Sequence, residues 1–423
     1  MRLASFFALS LILAAPAAAQ SPADAVVGHI VAGQAFKRAA PALDAGHDQW
    51  VKDTITLTEI PAPPFKEAAR AKAFADMFRA RGLTDVEIDA EGNVLGLRKG
   101  TAGGPVVVVS AHLDTVFPEG TNVKVRREGE KLHAPGVGDD SAGLATLLAL
   151  VDAMTAGGVR TRSDILFVGT AGEEGPGDLR GVRHLFNQGK YKGRIRAFFS
   201  IDGGGLENVT TGGVGSKRYR VTYKGPGGHS YGAFGLVNPM GALGQTVTDL
   251  YKVQVPAKPK TTYSASVVGG GTSVNSIPEQ VWLEVDMRSE SADELAKVER
   301  QFLDIVPRAV AAENAARSTR EGKVTADLKK IGDRPAGQTV PSAEIVRLTE
   351  AAYRAEGISV RRNASSTDAN MPMSLGIPAV TLPRGSSGGR AHAPDEWIGI
   401  EKAGNVKVKR IVLATILATA GAD

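Results

Sequence analysis

The chain contains no cysteine among its 423 residues. That excludes disulfides, thiolate-held zinc, a cysteine nucleophile and a lipidated cysteine at an export cleavage site. Any metal must be held by nitrogen and oxygen. A strong charge bias is missing as well: 50 lysines and arginines against 45 acids leave +5, too small a surplus for nucleic-acid binding. Beyond residues 1–19 no apolar run approaches the ~20 residues of a membrane-spanning helix, and there is no repeat or low-complexity tract. What remains is 43% hydrophobic and 22% charged, ordinary for a soluble globular protein. Its length suggests two or three domains at roughly 150 residues each.

Arg2, the apolar run from Leu3 to Ala15 and the small residues Ala17-Ala18-Ala19 read as a cleavable export leader over residues 1–19. The expected location is periplasmic or secreted, with no membrane anchor after processing. Downstream, Ala71, Phe74, Met77 and Phe78 recur at helical spacing and predict a helix from Glu67 to Arg81. The runs Val106 to Val109, Ile165 to Val168 and Ala197 to Ile201 do not alternate, as expected of strands buried on both faces of a parallel sheet. Between the first two lies a helix patterned by Leu144, Leu147, Leu148, Val151 and Met154. A fourth run, Ala379 to Leu382, comes much later.

Residues 214–334 are organised differently. A strand from Arg218 to Tyr223 precedes a helix opened by Asn238-Pro239, then strands near Tyr263 to Val268 and Gln280 to Arg288. In the last of these Val281, Leu283, Val285 and Met287 alternate with polar residues, so one face only is buried. Ser291 and Glu294 form a capping box before a helix carrying Leu295, Val298, Phe302 and Ile305, and a strand from Lys323 to Ile331 follows. The order β-α-β-β-α-β predicts an inserted α+β, ferredoxin-like domain. It would divide an α/β domain, with a mixed and largely parallel sheet flanked by helices, into residues 20–213 and 335–423.

Each buried strand runs directly into ionisable residues. His112-Leu-Asp114 follows the first, Glu173-Glu174 the second and Asp202 the third, while Asp139-Asp140 precedes the patterned helix. Sites in open α/β sheets form beyond the carboxyl ends of the strands. Carboxylates converging there would repel one another, and a cation is the natural remedy. Asp140 alone reads better as an acid near a helix start, stabilised by the helix dipole. In His112-x-Asp114 one ring nitrogen suits a metal while a carboxylate fixes the other. In Glu173-Glu174 one carboxylate suits a ligand and its neighbour a general base.

The segments His112-Leu-Asp114, Gly138 to Gly143, Glu173-Glu174-Gly175, Ile201-Asp202-Gly203 and Ala391-His392-Ala393-Pro394 resemble the five metal motifs of the M20 di-zinc metallopeptidases. That clan includes dipeptidases, aminotripeptidases, glutamate carboxypeptidases and N-acyl-amino-acid deacylases. The resemblance implies two zinc ions, with manganese or cobalt as substitutes. His112 and Asp202 would hold one and Glu174 and His392 the other, with Asp139 bridging them. It further implies Glu173 as general base, Asp114 orienting His112, and the inserted domain as a lid and dimerisation domain. His229 would reach a partner subunit's site in a homodimer, and Asn275 and Arg288 would bind substrate. Arg288 reads equally well as a solvated edge arginine. His29, His47, His133 and His184 lack motif partners and read as ordinary histidines.

Ser141 stands where many relatives carry lysine, and Asp202 where deacylases usually carry glutamate. The aspartate tips the reading towards an exported peptidase of short peptides, preferring a free amino terminus. An N-acyl-amino-acid amidohydrolase or glutamate-carboxypeptidase-like enzyme is the alternative within the same chemistry. From another class comes a periplasmic binding protein with a degenerate site, disfavoured because Glu173 accompanies all five ligands.

Overall fold

The structure, a computed structural model, describes residues 21–422; the expected leader lies outside them. At its centre is a nine-stranded mixed sheet. Four adjacent strands in its middle are parallel, in the order Ile165–Thr170, Val106–His112, Ile195–Gly203 and Ala379–Pro383. These are the four apolar runs of the sequence, each extended by one to several residues. Val107 and Val109 pack into the core on one face while Val106 and Val108 pack into that on the other, which is why the runs show no alternation. The helices Gly143–Ala156 and Lys402–Ala420 cover the first face, with Leu144, Leu147, Leu148 and Val151 buried, and Arg180–Asn187 contributes to the second.

Antiparallel strands flank this centre, Thr84–Ile88 and Val94–Arg98 on one side and Asn208–Gly213 with Gly337–Gln338 on the other. The helix foreseen near Glu67 runs from Ala68 to Ala80.

A separate four-stranded antiparallel sheet has the order Thr261–Gly270, Gln280–Ser289, Gly215–Lys224, Thr325–Arg334. Val281, Leu283, Val285 and Met287 join Tyr219, Val221 and Tyr223 in its own core, beneath the helices Pro239–Leu250 and Ala292–Ala316. Asn238 caps the first helix by accepting from Met240 N, and Ser291 caps the second through Glu294 N. The reciprocal half of the expected capping box is absent, because the Glu294 carboxylate pairs with Lys297 instead.

The chain passes between the two sheets at Val214 and again at Pro335. Asn370 holds both crossings: its Nδ2 donates to Val214 O at 2.8 Å and to Pro335 O at 2.9 Å. A further small sheet, unforeseen in the sequence, pairs Gly388–Gly389, Trp397–Gly399, Lys131–His133 and Arg126–Glu128. Among the described residues no helix is long and apolar enough to cross a membrane.

Candidate active site

Because the four central strands are parallel, their carboxyl ends share one edge. His112 ends one strand, Asp202 lies one residue from the end of the next, and Glu173 and Glu174 follow the third after a turn at Gly172. Gly172 has φ +65°, and a Cβ there would sit 2.4 Å from Arg180 Nε, so the turn requires glycine. The loop Val137–Ala142 brings Asp139 and Asp140 over this edge. His392 arrives on the link between Gly389 and Trp397, in a left-handed conformation at φ +67° that is uncommon for a histidine.

All five expected ligands meet. His112 Nε2 is 2.9 Å from Asp139 Oδ1 and 3.9 Å from Asp202 Oδ1. His392 Nε2 is 3.3 Å from Asp139 Oδ2 and 2.8 Å from Glu174 Oε1. Asp139 thus touches one histidine with each oxygen. Glu173 points into the same cleft, its Oε1 accepting from Arg334 Nη1 at 3.0 Å.

Asp114 acts through two different groups. His112 Nδ1 meets its backbone carbonyl at 3.0 Å, closer than the 3.6 Å to its carboxylate. The carboxylate accepts from Glu173 N at 2.9 Å and Glu174 N at 2.8 Å. One residue therefore sets both the histidine ring and the path of the two glutamates.

The electrostatics are those of crowded buried acids. Burial holds Asp140 and Asp202 well above the usual carboxylate range, Asp139 adding to the shift at Asp202. Burial also acts on Asp139, but Arg384 and the two histidines outweigh it and hold that carboxyl well below the usual range. Burial pushes Glu173 up to about 8, with Arg334 opposing and Glu174 adding to the rise. Hydrogen bonds to Asp139 and Glu174 lift His392 to about 10. This is a cluster that gathers positive charge.

The residues fit divalent cations. His112, Asp139 and Glu174, and likewise His112, Asp140 and Asp202, offer donor atoms within 4.8 Å of one another. Asp140 Oδ1 is buried with no hydrogen-bond partner. Imidazole nitrogen and carboxylate oxygen without thiolate suit zinc, manganese or cobalt. Filling the site would release the protons the histidines hold.

The cleft has a volume of about 530 Å3, and its lining includes Arg218, Arg288, Arg334 and Arg384. Arg288 thus faces the site, sharing Asp286 with Arg218 at 2.7 and 2.9 Å. His229 and Asn275 do not line it. They lie together elsewhere on the four-stranded domain, where Gly228–His229 pairs with Ser276–Ile277 and Ser230 N donates to Asn275 O at 2.9 Å. His229 is exposed, and its Nδ1 accepts from Tyr231 N and Gly232 N at 3.2 and 3.3 Å. The ring proton therefore sits on Nε2.

Sequence reasoning missed four participants. Arg384 follows the strand Ala379–Pro383 directly, as close to a strand end as Asp202 is on its neighbour, so the rule that found the acids would have found it. Glu396 accepts from Gly136, Gly138 and Asp139 N–H groups at 3.0, 2.8 and 2.7 Å, fixing the Asp139 loop. Arg334 ends the strand Thr325–Arg334 and Arg218 lies inside Gly215–Lys224, and only the fold shows their direction. In the loop Thr367 to Asn370, Thr367 lines the cleft. Asp368 is buried on Thr170, and Asn370 points away to the chain crossings.

Three comparisons bear on this arrangement. The sequence profile of Peptidase family M20/M25/M40 matches residues 108–414. Carboxypeptidase G2 of Pseudomonas sp. is 28% identical over 199 residues, a match covering 46% of this chain but only 47% of that protein. The fold is similar to that of aminopeptidase PepT from Bacillus cereus, with TM-score 0.71 and 19% identity over 88% of this chain and 99% of that one. It is also similar to a dinuclear metal-binding M20 peptidase of Bacillus subtilis, with TM-score 0.63 and 18% identity over 89% and 99%. The profile match embraces the five motifs and the inserted domain together, and the chain belongs to peptidase family M20/M25/M40, metallohydrolases acting on peptide and amide bonds.

Proposed function

We propose that the protein is an exported, zinc-dependent hydrolase of short peptides, cleaving the amide beside a residue that carries a free carboxylate. The observation that carries this reading is the convergence of His112, Asp139, Glu174, Asp202 and His392 with Glu173 in one cleft whose wall holds Arg218 and Arg288. His112, Asp202 and Asp139 would hold one cation, and His392, Glu174 and Asp139 the other. Bound there, divalent ions supply Lewis acidity, polarising a carbonyl and acidifying a water.

Glu173 serves as the base. Arg334 occupies its Oε1, while its Oε2 has no hydrogen-bond partner among the described residues and is available to accept a proton from water and return it to the leaving amine. Arg288 and Arg218 share the single carboxylate of Asp286, so the wall keeps a net positive charge and unspent N–H donors for a substrate carboxylate. The acids lining the cleft, Asp139, Glu173, Glu174 and Asp202, all belong to the ligand set or the base. A carboxylate therefore finds more in this wall than an ammonium does. For the same reason N-acyl amino acids remain the second substrate class.

His229 would act across a homodimer, its Nε2–H donating to the carbonyl oxygen under attack in the partner's site. Tyr231, Phe234 and Val274 lie exposed near it, which supports a covered surface. Residues 20–213 with 335–423 as catalytic domain, and 214–334 as lid and dimerisation domain, complete the reading.

The substrate test is mass-spectrometric profiling of the metal-loaded protein against dipeptides, tripeptides, their carboxy-terminal amides and N-acyl amino acids. Turnover confined to N-acyl amino acids would replace the peptidase reading, and amides cleaved as well as free acids would remove the carboxylate clamp. Fractionation with amino-terminal sequencing tests export; intact protein beginning at Met1 in the cytoplasm would contradict it. Mixing His229→Ala with Glu173→Gln subunits should restore part of the activity if His229 crosses between subunits. No recovery after demonstrated subunit exchange would confine it to its own chain.

A further inference from the structure

The parallel register sets Pro383 beside Gly203, the residue after Asp202, and Arg384 follows directly at the strand's end. The backbone of Arg384 is fixed there. Its N–H donates to Gly203 O at 3.1 Å, and its carbonyl accepts from Thr146 Oγ1 at 3.1 Å. From this anchor the largely buried guanidinium enters the ligand cluster, where Nη1 donates to Asp139 Oδ1 at 3.1 Å, Asp202 Oδ1 at 2.6 Å and the Asp202 carbonyl at 3.1 Å.

The two ligand sets differ in this respect. Among the described residues, the oxygens on the His392 side, Asp139 Oδ2 and Glu174 Oε1, meet the histidine and no arginine, because Arg334 is engaged on Glu173. On the His112 side, a fixed positive charge already rests on both acids. A dication arriving there meets like charge and acceptor oxygens in use, whereas on the His392 side no guanidinium rests on the ligand oxygens.

We propose that Arg384 is an internal counter-cation that competes with the metal for Asp139 and Asp202, so that the two positions fill in order, the His392–Glu174 position tightly and the His112–Asp202 position weakly. In the metal-free protein the guanidinium offsets the repulsion among Asp139, Asp140 and Asp202 and keeps them in place. Loading the second position requires it to release at least one oxygen, and that cost is taken from the second affinity. An arginine that only oriented its ligands would have the opposite effect, since outer partners of metal ligands strengthen binding. The sign of the change on removing Arg384 separates the two roles.

The inference rests on the two-cation reading above, and the experiment tests both. The metal-stripped protein is titrated with Zn2+ against a chromophoric chelator, and its thermal unfolding is followed with and without zinc. The wild type should take up two zinc ions per chain with unequal affinities. Arg384→Met should raise the weaker association constant about 10- to 100-fold, the range over which outer partners of metal ligands act. The tighter constant should stay as it was, and Tm should fall in the metal-free state more than in the loaded one. Arg384→Gln, neutral but still a donor, should show the same gain and decides the matter should the Met variant not fold. A weaker constant that is unchanged or reduced in the folded variants overturns the competition while leaving two cations in place. Uptake of fewer than two zinc ions per chain by wild type and variants alike overturns the two-cation reading and this proposal with it.

Discussion

Asn370 offers a perturbation whose consequences follow from its bonds. It is fully buried, its Nδ2 donates to the carbonyls of Val214 and Pro335, and its Oδ1 accepts from Thr367 N at 3.0 Å. Two carbonyls on one end and an N–H on the other leave the amide orientation unambiguous. Asn370→Ala strands all three partners at the two points where the chain passes between the sheets. A buried group left without its partner costs about 1–3 kcal/mol, so three of them with some water entry should cost about 3–6 kcal/mol. Asn370→Asp keeps shape and volume but, when ionised, turns an acceptor towards two carbonyls. At neutral pH it should be at least as damaging as alanine. It should recover partly in acid, where a protonated carboxyl can donate to one of them. Denaturant unfolding at two pH values measures both, and hydrogen exchange around residues 214 and 335 shows whether the loosening is local. A loss below about 1 kcal/mol for alanine, or an aspartate variant indistinguishable from wild type at neutral pH, would refute the claim that this amide ties the two units together.

Glu396→Gln removes the charge and one of the acceptors that fix the Asp139 loop, so metal affinity should fall about 10- to 100-fold in a folded protein, measured by chelator competition. Arg288→Ala and Arg218→Ala should each lower kcat/KM about 10- to 100-fold for substrates with a free carboxyl terminus and leave their amides unaffected, one charge-assisted contact being lost. Lys409 is buried against Trp50, its Nζ 3.8 Å from the ring centroid, and burial lowers its pKa from 10.5 to about 7. Between those values the unfolded chain holds a proton that the folded one lacks, so stability rises with pH through that window, and below it the cost of the buried charge is fully present. The advantage of Lys409→Met should therefore be greatest below pH 7 and shrink towards pH 10.5, by on the order of 5 kcal/mol. A difference that stays constant in unfolding experiments across this range would show that the lysine is not a buried charge.

The parallel strands were legible because burial on both faces removes alternation, as Val106 to Val109 show. The strand from Gln280 to Arg288 was legible for the opposite reason. Among the ligands, His112, Glu174 and Asp202 were legible at or just beyond strand ends, Asp139 in the loop before the patterned helix, and His392 through the family motif alone. Arg384 obeys the same rule and was overlooked because an arginine among ligand carboxylates is not what a search for metal donors selects. Strands of two or three residues, such as Gly388–Gly389 and Trp397–Gly399, carry no period to detect. Trp397–Gly399 pairs with Lys131–His133, more than two hundred residues away, and Gly388–Gly389 joins the sheet only through Trp397–Gly399. Asn370 and Glu396 act on backbone groups of distant segments, a role no local pattern marks. Asp114 was assigned to the ring of His112, yet its carboxylate spends both oxygens on Glu173 and Glu174 N–H groups, which only the turn at Gly172 reveals.

The central claim is that Glu173 acts on water in a cleft whose cations are held by other residues. It is tested most directly by measuring metal content and turnover together in Glu173→Gln. The account predicts two zinc ions per chain, as in wild type, with kcat on the best short peptide reduced about 10²–10⁴-fold, the loss typical of a general base. Near-normal turnover at full metal content would contradict it and move the base elsewhere.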